Sequence, residues 1–174
     1  MTTGTTNSLD PHRFVVSPRP YDHPDARRLV RALFDDQKER YGYADPFEAD
    51  PAYYLPPHGL FLVGYLDGVA VACGGYRTFD EQTRTVEVKK MYTVPRFRGL
   101  GLGERILKEL ERRAARNGAR RSILETGVRN TAALALYTGV GYQPTERYVD
   151  GRDPAINRAF VKELSGMFTE ELAC

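Results

Sequence analysis

The chain has 174 residues, of which 41% are hydrophobic and 28% charged, and its formal net charge is +2. That composition describes an ordinary globular protein, long enough for one domain with a sizeable core. The small net charge argues against a nucleic-acid-binding protein. Two cysteines, Cys73 and Cys174, are too few for a disulfide framework, and no run of about 18 apolar residues could span a membrane. We therefore expect a cytoplasmic protein without nucleic-acid or membrane partners.

The first half of the chain combines periodic segments with one long irregular stretch. We predict a disordered tail over residues 1–11, a first strand over residues 12–17 and a helix over residues 22–42. Residues 43–59, rich in proline, aspartate and tyrosine, predict a long loop. Residues 60–76 predict a β-hairpin, because two apolar runs flank an Asp-Gly pair that favours a two-residue turn.

The second half alternates strands and helices. A predicted strand over residues 83–94 leads into a glycine-rich segment, and an amphipathic helix follows over residues 102–118. The remaining pattern predicts a buried strand over residues 121–127, a short helix over residues 130–142 and a last strand over residues 156–164.

This order of elements defines the expected fold. It predicts an α/β protein with a mixed, mostly antiparallel sheet of about six to seven strands and about three to four helices on its faces. The strand–helix–strand segment from Val86 to Leu124 predicts one parallel pair of strands. We expect a single domain over residues 12–165, which leaves residues 166–174 as a C-terminal tail.

The stretch RFRGLGLGER, which begins at Arg96, lies between the predicted strand and the predicted helix. The free N–H groups of a first helical turn and the helix dipole form an anion site, and glycine lets the backbone approach a phosphate closely. Arg96 and Arg98 add positive charge. The even spacing of Gly99, Gly101 and Gly103 fits neither a nucleotide P-loop nor the G-x-G-x-x-G dinucleotide motif. The alternative is a tight turn whose glycines serve packing only.

Two motifs resemble those of the GNAT superfamily of N-acetyltransferases. The central motif of that family, Q/R-x-x-G-x-G/A, is matched by Arg96, Gly99 and Gly101. Its later motif has an asparagine, an alanine-rich turn, and then a tyrosine, a glycine and an aromatic residue. The matching residues are Asn130, Ala133, Tyr137, Gly141 and Tyr142. The resemblance covers residues 60 to about 164 and is weakest before Gly59.

The resemblance implies a GNAT-like fold whose parallel strands splay apart in the middle of the sheet, and acetyl-CoA as the co-substrate. The pantetheine arm would lie in the splay and the pyrophosphate at the start of the helix. Backbone groups of the first strand would pair with the arm. The implied cofactor-binding residues are Met91, Tyr92, Val94, Arg96, Arg98, Gly99, Leu100, Gly101, Leu102, Gly103, Asn130, Ala133 and Tyr137.

Glu87 is the candidate general base. An alkylamine has a pKa of about 10.4, so it must lose a proton before it can attack a thioester at neutral pH. Glu87 lies in the apolar segment VEV of a strand expected to be central, where a carboxylate needs a reason. The family resemblance favours a base here. The alternative is an ordinary ion pair, for example with Lys89 on the same face.

Tyr137 is the candidate general acid. A phenol with a pKa of about 10 can protonate a leaving thiolate whose thiol has a pKa of about 8.5. Asn130, Ala133 and Tyr137 share one helix face, which would look into the splay. The alternatives are a core tyrosine bonded to a backbone carbonyl and a plain N-cap asparagine. A strand N–H near Met91 or Tyr92 would stabilise the oxyanion.

The expected acceptor is the primary amine of a small molecule. Tyrosines and acids in the long loop could form an acidic aromatic cup for a cationic amine, or they could belong to a solvated loop. Arg77 could bind a carboxylate. The histidines lack metal-site spacing, so no metal is expected. The candidate acceptor-binding residues are Tyr41, Tyr43, Phe47, Tyr54, Arg77 and Glu125.

We therefore expect an N-acetyltransferase that uses acetyl-CoA and transfers the acetyl group directly in a ternary complex. Two other hypotheses remain open from the sequence. One is a non-catalytic module that binds acyl-CoA, and the other is an acetyltransferase of protein lysines or N-termini. Homodimers are frequent among proteins of this kind, so a homodimer is a further expectation.

Overall fold

The computed structural model describes residues 10–164. The tails predicted over residues 1–11 and 166–174 lie outside this part of the chain, except for Asp10 and Pro11. Seven strands and three α-helices are present in the described part. They are β1 (Phe14–Pro18), α1 (Pro24–Tyr41), β2 (Gly59–Leu66), β3 (Val69–Asp80), β4 (Thr85–Thr93), α2 (Leu102–Arg116), β5 (Arg121–Gly127), α3 (Thr131–Gly139), β6 (Gln143–Thr145) and β7 (Asn157–Glu163).

The seven strands form one mixed sheet in the order β1-β2-β3-β4-β5-β7-β6. Only β4 and β5 run parallel among these neighbours, which confirms the predicted parallel pair in a mostly antiparallel sheet. β6 was not predicted from the sequence. This strand has three exposed residues and contains Pro144, a residue that only a sheet edge accommodates.

The parallel pair is short. β4 and β5 share three residue pairs, of which Glu87 and Ile123 form the last, and beyond them the two strands part. Lys90 and Met91 on β4 lie opposite Gly74 on β3 and form a β-bulge, with Lys90 at φ +60°. A bulge bends its strand and increases the local twist. The carboxyl halves of β4 and β5 therefore diverge and leave a cleft in the centre of the sheet.

Helices cover both faces of the sheet, because alternate residues of the strands point to opposite sides. On one face, the predicted apolar stripe of α2 is fully buried against the sheet. Its members are Leu102, Ile106, Leu107, Leu110 and Ala114. On the other face, α1 packs Ala26, Leu29 and Val30 against residues such as Phe61 and Cys73. None of the helices in residues 10–164 combines the length and apolar character needed to cross a lipid bilayer.

Candidate active site

A cavity of about 500 Å³ lies where β4 and β5 part, bounded also by α1, the loop after it and α3. A larger and more open groove of about 890 Å³ beside β7 contains none of the predicted site residues. The structure thus brings residues from distant parts of the sequence together in the smaller cavity. The predicted site residues that line it are Tyr41, Tyr43, Tyr54, Arg77, Glu87, Met91, Glu125, Asn130 and Tyr137.

The aromatic cup is narrower than the sequence predicts. Phe47 does not line the cavity, because its ring packs against Phe34 with centroids 5.3 Å apart and the Arg31 guanidinium lies 3.7 Å from its centre. Tyr54 is only 3% exposed and stacks on Tyr21 at 4.7 Å. These two residues hold the loop against α1 and β2. The aromatic surface open to an acceptor therefore comes mainly from the residues at the end of α1.

The glycine-rich segment forms the entry into α2. Gly99 and Gly101 have φ of +80° and +75°, and Gly101 is the N-cap. A Cβ placed on either glycine would meet no atom within 4 Å, so backbone conformation, not packing, requires glycine at these positions. The side chains of Leu100 and Leu102 pack against the core. No side chain caps the helix, so the N–H groups of its first turn are available to an anion.

The two arginines before these glycines make contacts within the protein. Arg98 Nε donates to the Thr93 carbonyl at 2.9 Å, and its Nη2 lies 3.3 Å from Asp36 Oδ1 on α1. The Arg96 guanidinium lies 4.6 Å from the centre of the Phe97 ring. Asp36 therefore offsets part of the positive charge that the sequence analysis placed beside the anion site.

The backbone of β4 offers fewer free groups than the sequence predicts. The Val94 N–H donates to the Val71 carbonyl at 2.9 Å, and the Val94 carbonyl also accepts a hydrogen bond. Tyr92 stays paired with β3, whereas Met91 follows the bulge at Lys90 and departs from the regular ladder. Of the three predicted positions, Val94 is thus the least suited to pair with an extended ligand.

Glu87 is buried at 2% exposure and holds several partners. Its Oε2 accepts a hydrogen bond from Arg77 Nε at 2.9 Å, and its Oε1 accepts one from the Tyr148 hydroxyl at 3.2 Å. Lys89 Nζ lies 3.6 Å from Oε1. The ion pair foreseen as the alternative is therefore present, with Arg77 as a second cation. Both oxygens of this carboxylate are occupied.

Tyr137 is buried on α3, and its ring centroid lies 5.8 Å from that of Tyr142. Burial raises the pKa of Tyr137, which keeps the phenol protonated at neutral pH. Tyr137 belongs to the hydrophobic core cluster that packs on α2, in keeping with the alternative of a core tyrosine, and it also lines the cavity. Asn130 does cap α3, since its side chain accepts from the Ala133 N–H at 3.2 Å.

Two residues of the site escaped the sequence analysis, and both lie on the connection between β6 and β7. Tyr148 donates to Glu87, as described. Arg152 hydrogen-bonds through Nη2 to Asp45 in the loop after α1, and its Nε lies 3.2 Å from Glu125 Oε1. No periodicity or motif marks this connection, so nothing local in the sequence points to either residue. Tyr148 thus connects this segment to β4, and Arg152 connects it to the loop after α1.

Buried Cys73 and half-buried Lys90 are neighbours at the bulge. The Cys73 thiol donates to the Lys90 carbonyl at 3.3 Å, and burial raises its pKa to about 12, so it is an inert thiol at neutral pH. Desolvation lowers the pKa of Lys90 to about 8. Its Nζ donates to the Pro46 carbonyl at 2.7 Å. The cavity therefore contains one ammonium that gives up its proton more easily than an ordinary lysine.

Comparison with known proteins identifies the family. The sequence model of the Acetyltransferase (GNAT) family matches residues 29–142, which is well over half of the chain. The protein therefore belongs to the GNAT acetyltransferase family, as the two motifs indicated.

Individual relatives differ in how much of each chain they share. An IAA acetyltransferase of Azospirillum brasilense is 37% identical over 86 residues, which are 49% of this chain and 56% of that protein, so this chain spans little more than half of it. The uncharacterized N-acetyltransferase YjgM of Escherichia coli is 30% identical over 129 residues, covering 70% of this chain and 77% of YjgM. N-acetylaspartate synthetase of Homo sapiens is 27% identical over 118 residues, covering 68% and 37%.

Solved structures share the fold over most of their length. A protein of Klebsiella pneumoniae, provisionally assigned as an acyl-CoA N-acyltransferase, has a TM-score of 0.72 at 28% identity and covers 87% of this chain and 97% of its own. A GNAT family acetyltransferase of Elizabethkingia anophelis with acetyl-CoA bound has a TM-score of 0.63 at 18% identity, covering 87% and 98%. The GNAT fold expected from the sequence is thereby confirmed.

The lowered pKa of Lys90 predicts a specific dependence of stability on pH. The unfolded chain keeps this proton up to about pH 10.5, whereas the folded protein releases it above about pH 8. Between these values the unfolded state binds more protons, so stability rises with pH. We expect the free energy of unfolding of the wild type, relative to Lys90→Met, to increase from pH 8 to pH 9.5 in urea titrations. The exposed Lys108→Met should show no such trend, and a constant difference for Lys90→Met would contradict the assignment.

Proposed function

We propose that this protein is an acetyl-CoA-dependent N-acetyltransferase that acts on the primary amine of a small molecule, by direct transfer in a ternary complex. One observation carries the proposal. The cavity where β4 and β5 part is lined by Glu87, Glu125 and the Tyr137 phenol, and the chain that leaves β4 leads directly into the uncapped start of α2. Membership of the acetyltransferase family supports the same chemistry.

The residues at the start of α2 fit a pyrophosphate. The uncapped N–H groups there supply donors, the positive end of the helix dipole supplies charge, and Gly99 and Gly101 leave open space where a Cβ would stand. Arg96 is the nearby cation without an acidic partner among the described ion pairs, whereas Arg98 shares its charge with Asp36. Residues 98–103 are therefore the proposed phosphate-binding segment, with Met91 on β4 beside the arm.

Acetyl-CoA, when bound, supplies the thioester carbon that an amine can attack. In the transfer, the new N–C bond forms, the C–S bond breaks, the nitrogen loses one proton and the sulfur receives one. Tyr137 is the proposed donor of that proton, since it lines the cavity and its phenol, like that of any tyrosine, is protonated at neutral pH. Glu87 was the predicted acceptor of the amine proton. Both of its oxygens already have partners, Arg77 at Oε2 and Tyr148 and Lys89 at Oε1, which leaves no oxygen free to face an amine.

The shape of the site favours a small acceptor over a protein. The Arg152–Asp45 contact joins the connection between β6 and β7 to the loop after α1, so the cavity is roofed and not an open groove. A lysine on a protein surface would have to displace that contact. A non-catalytic acyl-CoA sensor has no need for Tyr137 and a carboxylate pair in the same cavity.

Release of free thiol from acetyl-CoA tests the proposal. Wild-type protein is incubated with acetyl-CoA and pools of amino acids, polyamines, aminoglycosides, arylamines and a lysine peptide. We expect release with at least one small-molecule pool and a rise in melting temperature with acetyl-CoA alone. A rise in melting temperature without release in any pool would favour the sensor. Release with the peptide alone would favour protein acetylation.

Replacing Tyr137 by phenylalanine should reduce kcat by roughly 10²–10⁴-fold, as expected for loss of a general acid, with the Kd for acetyl-CoA within about threefold of wild type. Steady-state kinetics and titration calorimetry measure the two quantities. Tyr76→Phe is the matched control, since Tyr76 is a buried tyrosine outside the cavity whose hydroxyl accepts a bond from Asn117. Equal kcat values for the Tyr137 variant and wild type would remove the proposed role.

A further inference from the structure

Glu125 carries the one buried carboxylate oxygen in the cavity that lacks a partner among the described residues. It lies on β5 beyond the last residue pair with β4, and its side chain is only 11% exposed. Its Oε2 accepts no hydrogen bond. Its Oε1 lies 3.2 Å from Arg152 Nε, but that nitrogen makes no hydrogen bond either. Arg152 Nε is therefore within ion-pair distance of Glu125, but its N–H does not point at the carboxylate.

Charge pairing leaves Glu125 under-compensated. The Arg152 guanidinium hydrogen-bonds to Asp45, so this one arginine serves two acids. Glu87, in contrast, pairs with Arg77 and with Lys89, which also lies 4.0 Å from Asp45, and both of its oxygens are occupied. Burial raises the pKa of Glu125 above that of an ordinary glutamate, which fits a carboxylate that accepts a proton readily. A cationic group bound at Glu125 would give its free oxygen, Oε2, the partner that it lacks.

The Tyr41 hydroxyl is a second buried polar atom without a partner, and it lines the same cavity. It lies so close to Gly127 that a Cβ on that residue would overlap it. Glu125 and Gly127 are two residues apart on β5 and so share one face of the strand. Buried polar groups are normally hydrogen-bonded, so an unpartnered donor and an unpartnered acceptor on one face indicate a missing ligand group.

We propose that Glu125 binds the ammonium group of the acceptor and takes the proton from it, with the Tyr41 hydroxyl as a second hydrogen-bond partner. This inference rests on the N-acetyltransferase function proposed above. In the step, one N–H bond of the ammonium breaks, its electron pair stays on nitrogen, and the proton joins Glu125 Oε2. The neutral amine is then the nucleophile. Glu87 is a positioning residue that holds Arg77 and Lys89.

The proposal narrows the class of acceptor. A primary alkylamine carries a positive charge at neutral pH and has enough N–H groups for both Glu125 and Tyr41. A tertiary amine has one N–H in its charged form and cannot be acetylated to a neutral amide. Arylamines are uncharged at neutral pH and would gain nothing from a buried carboxylate. We therefore expect cationic primary alkylamines to be the acceptors.

The dependence of kcat/KM on pH tests the role of Glu125. The probe is the primary alkylamine that wild type acetylates fastest in the thiol-release assay. Wild type should reach a plateau below the pKa of the amine, because Glu125 deprotonates the bound ammonium. Glu125→Gln can use only the neutral amine, so its kcat/KM should be about 10²–10⁴-fold lower at pH 7 and keep rising about tenfold per pH unit toward the amine pKa. Glu87→Gln should retain the plateau.

Controls separate this inference from the proposed function. Glu81→Gln removes an exposed acid in the turn after β3 and should match wild type. Glu125→Gln should keep the rise in melting temperature with acetyl-CoA. If glutamine disrupts the fold, Glu125→Asp replaces it and should retain the plateau at lower kcat/KM. A Glu125→Gln profile parallel to wild type and within threefold of it would overturn the inference alone. Absence of turnover by wild type with every amine would overturn the function and the inference together.

Discussion

The parting of β4 and β5 after three residue pairs is the constraint on which the rest of the site depends. A parallel pair that continued would close the sheet, bury both strand edges and leave no room for a ligand. The bulge at Lys90, with its unfavourable positive φ, turns β4 away instead. Backbone strain at one residue thus accompanies the parting of the two strands, which leaves room for the cavity under α1.

The two ends of the site differ in the charge of the group that each would bind. At the start of α2, free N–H groups and a helix dipole suit an anion. In the cavity, three cations (Arg77, Lys89 and Arg152) pair with three acids (Glu87, Asp45 and Glu125), and all of the carboxylate oxygens but one have a cation within ion-pair distance. The exception is Glu125, whose free oxygen marks where an added cation would be stabilised. The two ends therefore match the two substrates of an N-acetyltransferase, a phosphate-bearing donor and a cationic amine.

The sequence predicted what depends on local pattern. Element order, the parallel pair and the position of α2 followed from periodicity, and the glycine and asparagine motifs indicated the family. Contacts between residues that are far apart in the sequence could not be predicted. The Glu87–Arg77 pair depends on a register that two irregularities between β3 and β4 shift. Tyr148 and Arg152 lie on a connection without pattern, and β6 is too short and too polar to signal a strand. Phe47 resembled a binding residue because packing against Arg31 is invisible in sequence.

Hydrogen exchange in the presence and absence of acetyl-CoA is the most direct measurement of the central claim, that the opening between β4 and β5 receives the acyl donor. We expect slower exchange of the amides in residues 99–104 and at Met91 when acetyl-CoA is saturating, because a bound ligand would accept their hydrogen bonds. Protection confined to the groove beside β7, with no change at the start of α2, would contradict it.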